Sequence, residues 1–190
     1  MTTLSFMRNY VQVIQGTQSC IDQKLLMPSL ILIYTLIDTL AWASSDKSTG
    51  SVRSRFEAWV TKWLLSFLPC TATELYAARC GILHTLTSKV DLTAGGKVRE
   101  VAYAWGTAKS EDLQVAINHL ENMPVVAVHV EALFQAVRIA MADMLEMSDS
   151  DPLLANCLNE AAAMHLVAEG PEKVAQFLKL VGDASERPGT

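Results

Sequence analysis

The chain has 190 residues, of which 51% are apolar, 18% charged and 7% aromatic, with a formal net charge of −5. Its length suits one domain whose core needs no disulfide or metal staple. So little charge excludes intrinsic disorder, and a pI near 5.3 excludes a protein that coats nucleic acid through a general basic field. Charged residues are also too few to cover all the expected helices, which predicts further burial in an oligomer.

Helical periodicity dominates from the start. Leu4, Met7, Val11 and Ile14 fall on one stripe that continues towards Ile21 and Leu25, predicting a first helix with Gly16 as a weak point. No basic segment precedes an apolar run here, so a signal peptide is not expected. A second helix, about 28 to 43, is apolar nearly all round. Leu25 to Ala43 is long enough to span a bilayer, but Pro28, Ser29, Tyr34, Thr35, Asp38 and Thr39 interrupt it. The expectation is a central bundle helix in a cytoplasmic protein, with no membrane partner.

Ser44 to Ser51 reads as a loop. A third helix follows from about 52 to 67, with Phe56, Val60, Trp63 and Leu64 facing inward. Arg53, Arg55 and Lys62 are among its polar residues, read as ordinary surface charges, with cations beside a cleft that hold phosphates as the alternative. Pro69 ends it, and Thr71 with Glu74 three residues later forms a capping box for a fourth helix reaching about Ser88. Residues 89–109 break the pattern and suit a loop or a small hairpin around Ala94-Gly95-Gly96. Gly95-Gly96-Lys97 is not a phosphate loop, because Asp91 and Val98 stand where Gly and Ser or Thr are required. Ser110 caps a fifth helix to about Asn122. Val130, Leu133, Phe134, Val137, Met141, Met144 and Leu145 trace a sixth, over about 127 to 147. Asp151-Pro152 opens a seventh, and a short last helix covers 171–181. The expected architecture is all-α: one domain over 1–182, with a four-helix unit over 1–88, C-terminal helices over 110–182 and a disordered tail at 183–190.

Cys20, Cys70, Cys80 and Cys157 have no ladder spacing and read as reduced thiols. His119, His129 and His165 lie far apart without metal-ligand spacing, so neither metal nor cofactor is expected. The chemistry concentrates in the fourth helix, in Tyr76-Ala-Ala-Arg79-Cys80-Gly81-Ile82-Leu83-His84. Five residues correspond to roughly 140° of rotation and about 7.5 Å of rise, so one helix should not pair Arg79 with His84. Two copies related by a two-fold axis would bring both pairs to one cleft. A neutral imidazole can take the proton of a 2′-hydroxyl, while a guanidinium stabilises the charge gathering on phosphate. That combination suits RNA cleavage without a metal.

The string Arg79-Cys-Gly-Ile-Leu-His84 on a late helix of a small bundle resembles the HEPN superfamily, whose motif is Arg-x4-6-His. The resemblance covers residues 1 to about 90 most directly and 110–147 loosely. It implies an antiparallel four- or five-helix bundle, a homodimer and a metal-independent endoribonuclease, often a toxin or a defence protein. Arg79 and His84 would be the catalytic pair, with Asp38 and Tyr76 in support. Active members usually carry a polar residue where this chain has Cys80. Members without nuclease activity serve as antitoxin-like or scaffold-like interaction modules, which is the alternative expectation. A small-molecule or nucleotide sensor is a third.

Overall fold

A computed structural model describes residues 2–87, 90–94, 96, 98–120, 124–164 and 170–185. The fold is an all-α bundle with one small sheet. Helices α1 (Thr2–Asp22), α2 (Leu26–Ala43), α3 (Val52–Trp63) and α4 (Ala72–His84) make up the N-terminal half. They are followed by a one-turn helix α5 (Asp91–Ala94), strand β1 (Glu100–Ala104), α6 (Ser110–Leu120), strand β2 (Val125–His129), α7 (Val130–Ser148), α8 (Pro152–Ala163) and α9 (Pro171–Ser185).

The almost wholly apolar α2 is the axis of the bundle, packing against α1, α3, α4, α7 and α8. Leu30, Ile33, Leu36, Ile37 and Leu40 are essentially excluded from solvent. The helix is long and apolar enough to cross a membrane, and half of it is buried inside the fold. Its polar groups find partners within the bundle. Ser29, Thr35 and Thr39 each donate a hydroxyl to the carbonyl four residues back. The Tyr34 hydroxyl, fully buried, lies 2.6 Å from that of Tyr103 on β1. These bonds offset the cost of placing polar atoms in an apolar helix.

Helix ends follow local chemistry. Ser51 caps α3 by accepting from the Ser54 amide, and Asp151 caps α8, where Pro152 occupies the first turn. The capping box of α4 is complete: Thr71 accepts from the Glu74 amide, and Glu74 accepts from the Thr71 amide. The predicted stripe of α7 is buried from Val130 to Met144, and the Trp59 indole N–H points at the Met144 sulfur, 3.4 Å away. All four cysteines are free thiols, and burial pushes the Cys70 thiol up to about 12, keeping it neutral.

Several expectations are corrected. On α1 the inward stripe is Met7, Tyr10, Ile14, Thr17 and Ile21, whereas Val11 is 45% exposed. The third helix stops at Trp63, with a 3₁₀ turn over Leu65–Phe67, and the fourth stops at His84. Residues 100–104 are not part of a hairpin. They pair in parallel with Val125–His129, from Glu100 opposite Val125 to Ala104 opposite His129, and α6 is the crossover. The sixth predicted helix therefore begins at Val130, because the β-branched run before it is a buried strand. Gln114 of α6 secures the unit: its side-chain amide donates to the Val125 carbonyl and accepts from the Ala127 amide, covering the outer edge of β2. At the C-terminus, α9 runs to Ser185, through the start of the expected tail, while 186–190 lie outside the described residues.

Candidate functional site

Asp38 is the one charged side chain of α2, and α4 packs across α2. A single charge there must be paired to be tolerated. Arg79 of α4 supplies the partner: its Nε and Nη2 donate to Asp38 Oδ2 at 2.8 and 2.6 Å. The two side chains keep only 14% and 19% of their surface exposed. Burial acts against the Arg79 charge, but the Asp38 carboxylate outweighs it and raises the guanidinium further, so it stays a cation.

The third contact of this arginine overturns a geometric expectation. Arg79 Nη1 lies 3.0 Å from His84 Nε2 within one chain. The backbone vectors do diverge, yet the arginine stem is long enough to lie along the helix and reach the last turn. A guanidinium has no acceptor, so this contact is a hydrogen bond when Nε2 carries the lone pair and the imidazole proton sits on Nδ1. Of the five N–H donors of Arg79, three are used in this way, and the Cys80 thiol engages the side chain as well. His84 itself is exposed.

Tyr76, one turn before Arg79, forms the wall of the site. The Arg79 guanidinium lies 5.9 Å from its ring centre, and Phe56 meets the ring edge-on at 5.5 Å. Burial, and then the neighbouring Cys80 thiol, raise the Tyr76 hydroxyl above its ordinary value. Cys80 also interacts with Arg79, which places the thiol inside the cluster. Arg53 of α3 joins the same ring from 5.6 Å while donating to Glu57 at 2.9 Å. Its partners Arg55 and Lys62 do not belong here and line a separate cleft on another face of α3. Asp38, Tyr76, Arg79 and His84 are thus brought together, and Arg53 is added to them. The sequence allowed Arg53 beside the site only as the alternative to an ordinary surface charge.

His84 is held by the turn that follows it. The Thr85 and Thr87 amides both donate to the Gly81 carbonyl, and Leu86 between them takes φ +55°. Gly81 is required because a Cβ there would run into the Thr87 carbonyl oxygen. Gly81→Ala is expected to push the turn off the helix and destabilise the protein by about 1–3 kcal/mol. Thermal melts should show that loss with helical content largely kept. An unchanged melting temperature would mean that the close approach is not maintained in solution.

Among the described residues no group of three or more His, Cys, Asp or Glu side chains could hold a metal ion. His129 instead pairs with Glu131 at 3.1 Å, and His165 lies outside the described residues. Comparison with protein-family models, with curated proteins and with solved structures found no match for this chain.

Proposed function

We propose that this chain is a HEPN-like, metal-independent endoribonuclease that acts as a homodimer, with a toxin or defence role. The observation that carries this reading is the relay Asp38–Arg79–His84, in which a buried carboxylate fixes a guanidinium beside an exposed imidazole. An incoming phosphate replaces Nε2 as the acceptor for Arg79 Nη1. That exchange frees the His84 lone pair to remove the 2′-hydroxyl proton. The 2′-oxygen then attacks phosphorus, Arg79 stabilises the charge on the equatorial oxygens, and the 5′-oxygen leaves. In a two-fold dimer the second copy's His84, in its protonated imidazolium form, gives a proton to that leaving oxygen while the first copy's His84 gains one. Arg53, stacked on Tyr76, offers the neighbouring phosphate a second cation.

The test is incubation of the purified protein with single-stranded RNA in excess chelator. Cleavage to products ending in 2′,3′-cyclic phosphate is expected, together with inertness towards a strand lacking the 2′-hydroxyl at the scission point. No cleavage at any pH from 5 to 9 overturns the reading. That outcome would favour a non-catalytic interaction module, to which one specific observation points. Helix α9 is exposed along 171–179, and Val174, Phe177 and Leu178 present an apolar face to solvent.

A further inference from the structure

A second cleft lies on the face of α3 away from Arg53, about 260 Å³ in volume, between the end of α2, the 44–51 loop and α8. Arg53 and Arg55 are two residues apart on a helix, roughly 200° of rotation, so the two sites are separated by the helix itself. Six lining side chains set its chemistry: Ser44, Ser45, Ser54, Arg55, Lys62 and Trp63.

Two of them are cations. Both Arg55 hydrogen bonds leave from Nη1, to the Thr49 and Gly50 carbonyls at 3.1 and 2.9 Å. Among the described residues nothing engages its Nε or Nη2, so the guanidinium is held rigid with donors to spare. The Lys62 ammonium stands 4.6 Å from the centre of the Trp63 ring, presenting positive charge and an aromatic surface together. The carboxylate at the rim, Asp46, accepts from the amide and hydroxyl of Ser48 through Oδ1 at 2.8 and 2.7 Å, and these bonds favour its charged form. Arg55 and Lys62 set two cations in the cleft lining against this one carboxylate.

The three serines add a different requirement. Each hydroxyl proton is already committed: Ser44 donates to the Leu40 carbonyl, Ser45 to the Trp42 carbonyl and Ser54 to the Ser51 carbonyl. What these oxygens can offer a ligand is lone pairs. A ligand that satisfies the whole cleft therefore carries an anionic group for Arg55 and Lys62, a flat ring for Trp63, and N–H donors on that ring for the serines.

We propose that this cleft binds a small aromatic anion bearing a ring amino group. The inference stands apart from the nuclease reading, since it uses no residue of the Arg79 site. Two probes separate the sources of that chemistry, 4-aminobenzoate for a carboxylate and adenosine 5′-monophosphate for a phosphate. Titration calorimetry on the intact protein should show saturable binding of one of them. Adenosine, without the anion, and inorganic phosphate, without the ring, should each bind more weakly. Arg55→Ala and Lys62→Ala should each weaken binding about tenfold or more, because each removes a charge-assisted contact. His84→Ala, at an exposed residue outside the cleft lining, should leave it unchanged. Failure of both probes to bind overturns the proposal. So does binding that survives both cleft substitutions, or binding that disappears in His84→Ala.

Discussion

Replacing His84 by Ala is expected to lower RNA cleavage about 10²–10⁴-fold, the range for loss of a positioned general base. Arg79→Ala should cost about 10²–10³-fold, the range for loss of a preorganised donor to transition-state charge. The two substitutions differ in what else they do. His84 is exposed, so its removal should leave melting temperature and helical content intact. Removing Arg79 strands the Asp38 carboxylate, which keeps only 19% exposure on the most apolar helix. An uncompensated polar group there costs about 1–3 kcal/mol, and more when charged. The double variant Asp38→Ala/Arg79→Ala removes both charges and should recover much of that stability without recovering cleavage. A single-turnover assay beside a thermal melt reads both effects. If the double variant regains activity with stability, Arg79 holds helices together and plays no part in chemistry. If His84→Ala cleaves as well as the parent protein, the imidazole is not the base.

The bundle was legible because its signals are local. Repeating apolar residues, Pro69, the Thr71–Glu74 box and Asp151-Pro152 place most of the helices without tertiary information. The parallel sheet was not, because Val125–His129 finds its partner across an intervening helix. Its apolar run also merges with the apolar stripe of α7, so the helical period masks the strand. Much of the candidate site was legible as chemistry. An isolated Asp38 in an apolar helix must find a cation, and Arg79 is that cation. The direct Arg79–His84 contact was missed because helical-wheel reasoning tracks Cβ directions and ignores the reach of a long side chain. The sequence could not tell Arg53 beside the site from an ordinary surface charge, and it hid the Arg55–Lys62 cleft, for another reason. Which polar residues of α3 share a neighbour depends on what packs beside that helix, and its own sequence does not say.

Glu74 provides the largest expected effect on stability. Its side chain is 7% exposed, yet it carries three charge-assisted hydrogen bonds. Arg99 grips both oxygens, and the Thr71 amide donates to Oε2 at 2.7 Å. One carboxylate thus closes the α4 cap and ties the helix to the approach of β1. Burial alone would raise this carboxyl. The bonds from Arg99 and Thr71 outweigh it and hold Glu74 below its ordinary value of 4.5. A carboxyl lowered by folding contributes stability that is complete above its unfolded pKa and is lost as pH falls through the folded one. The parent protein should therefore lose stability as pH drops below about 4.5. Glu74→Ala should cost about 3 kcal/mol at neutral pH, combining a lost cap with lost charged hydrogen bonds. In a chain of this size that corresponds to a fall of roughly 6–12 °C in melting temperature. Glu74→Gln keeps the shape and some of the hydrogen bonding, so it should cost less at pH 7 and flatten the acid limb of the stability curve. Denaturant melts of the three proteins from pH 3 to pH 7 decide the matter. An acid limb as steep in Glu74→Gln as in the parent would assign it to other carboxylates and leave Glu74 only its capping role.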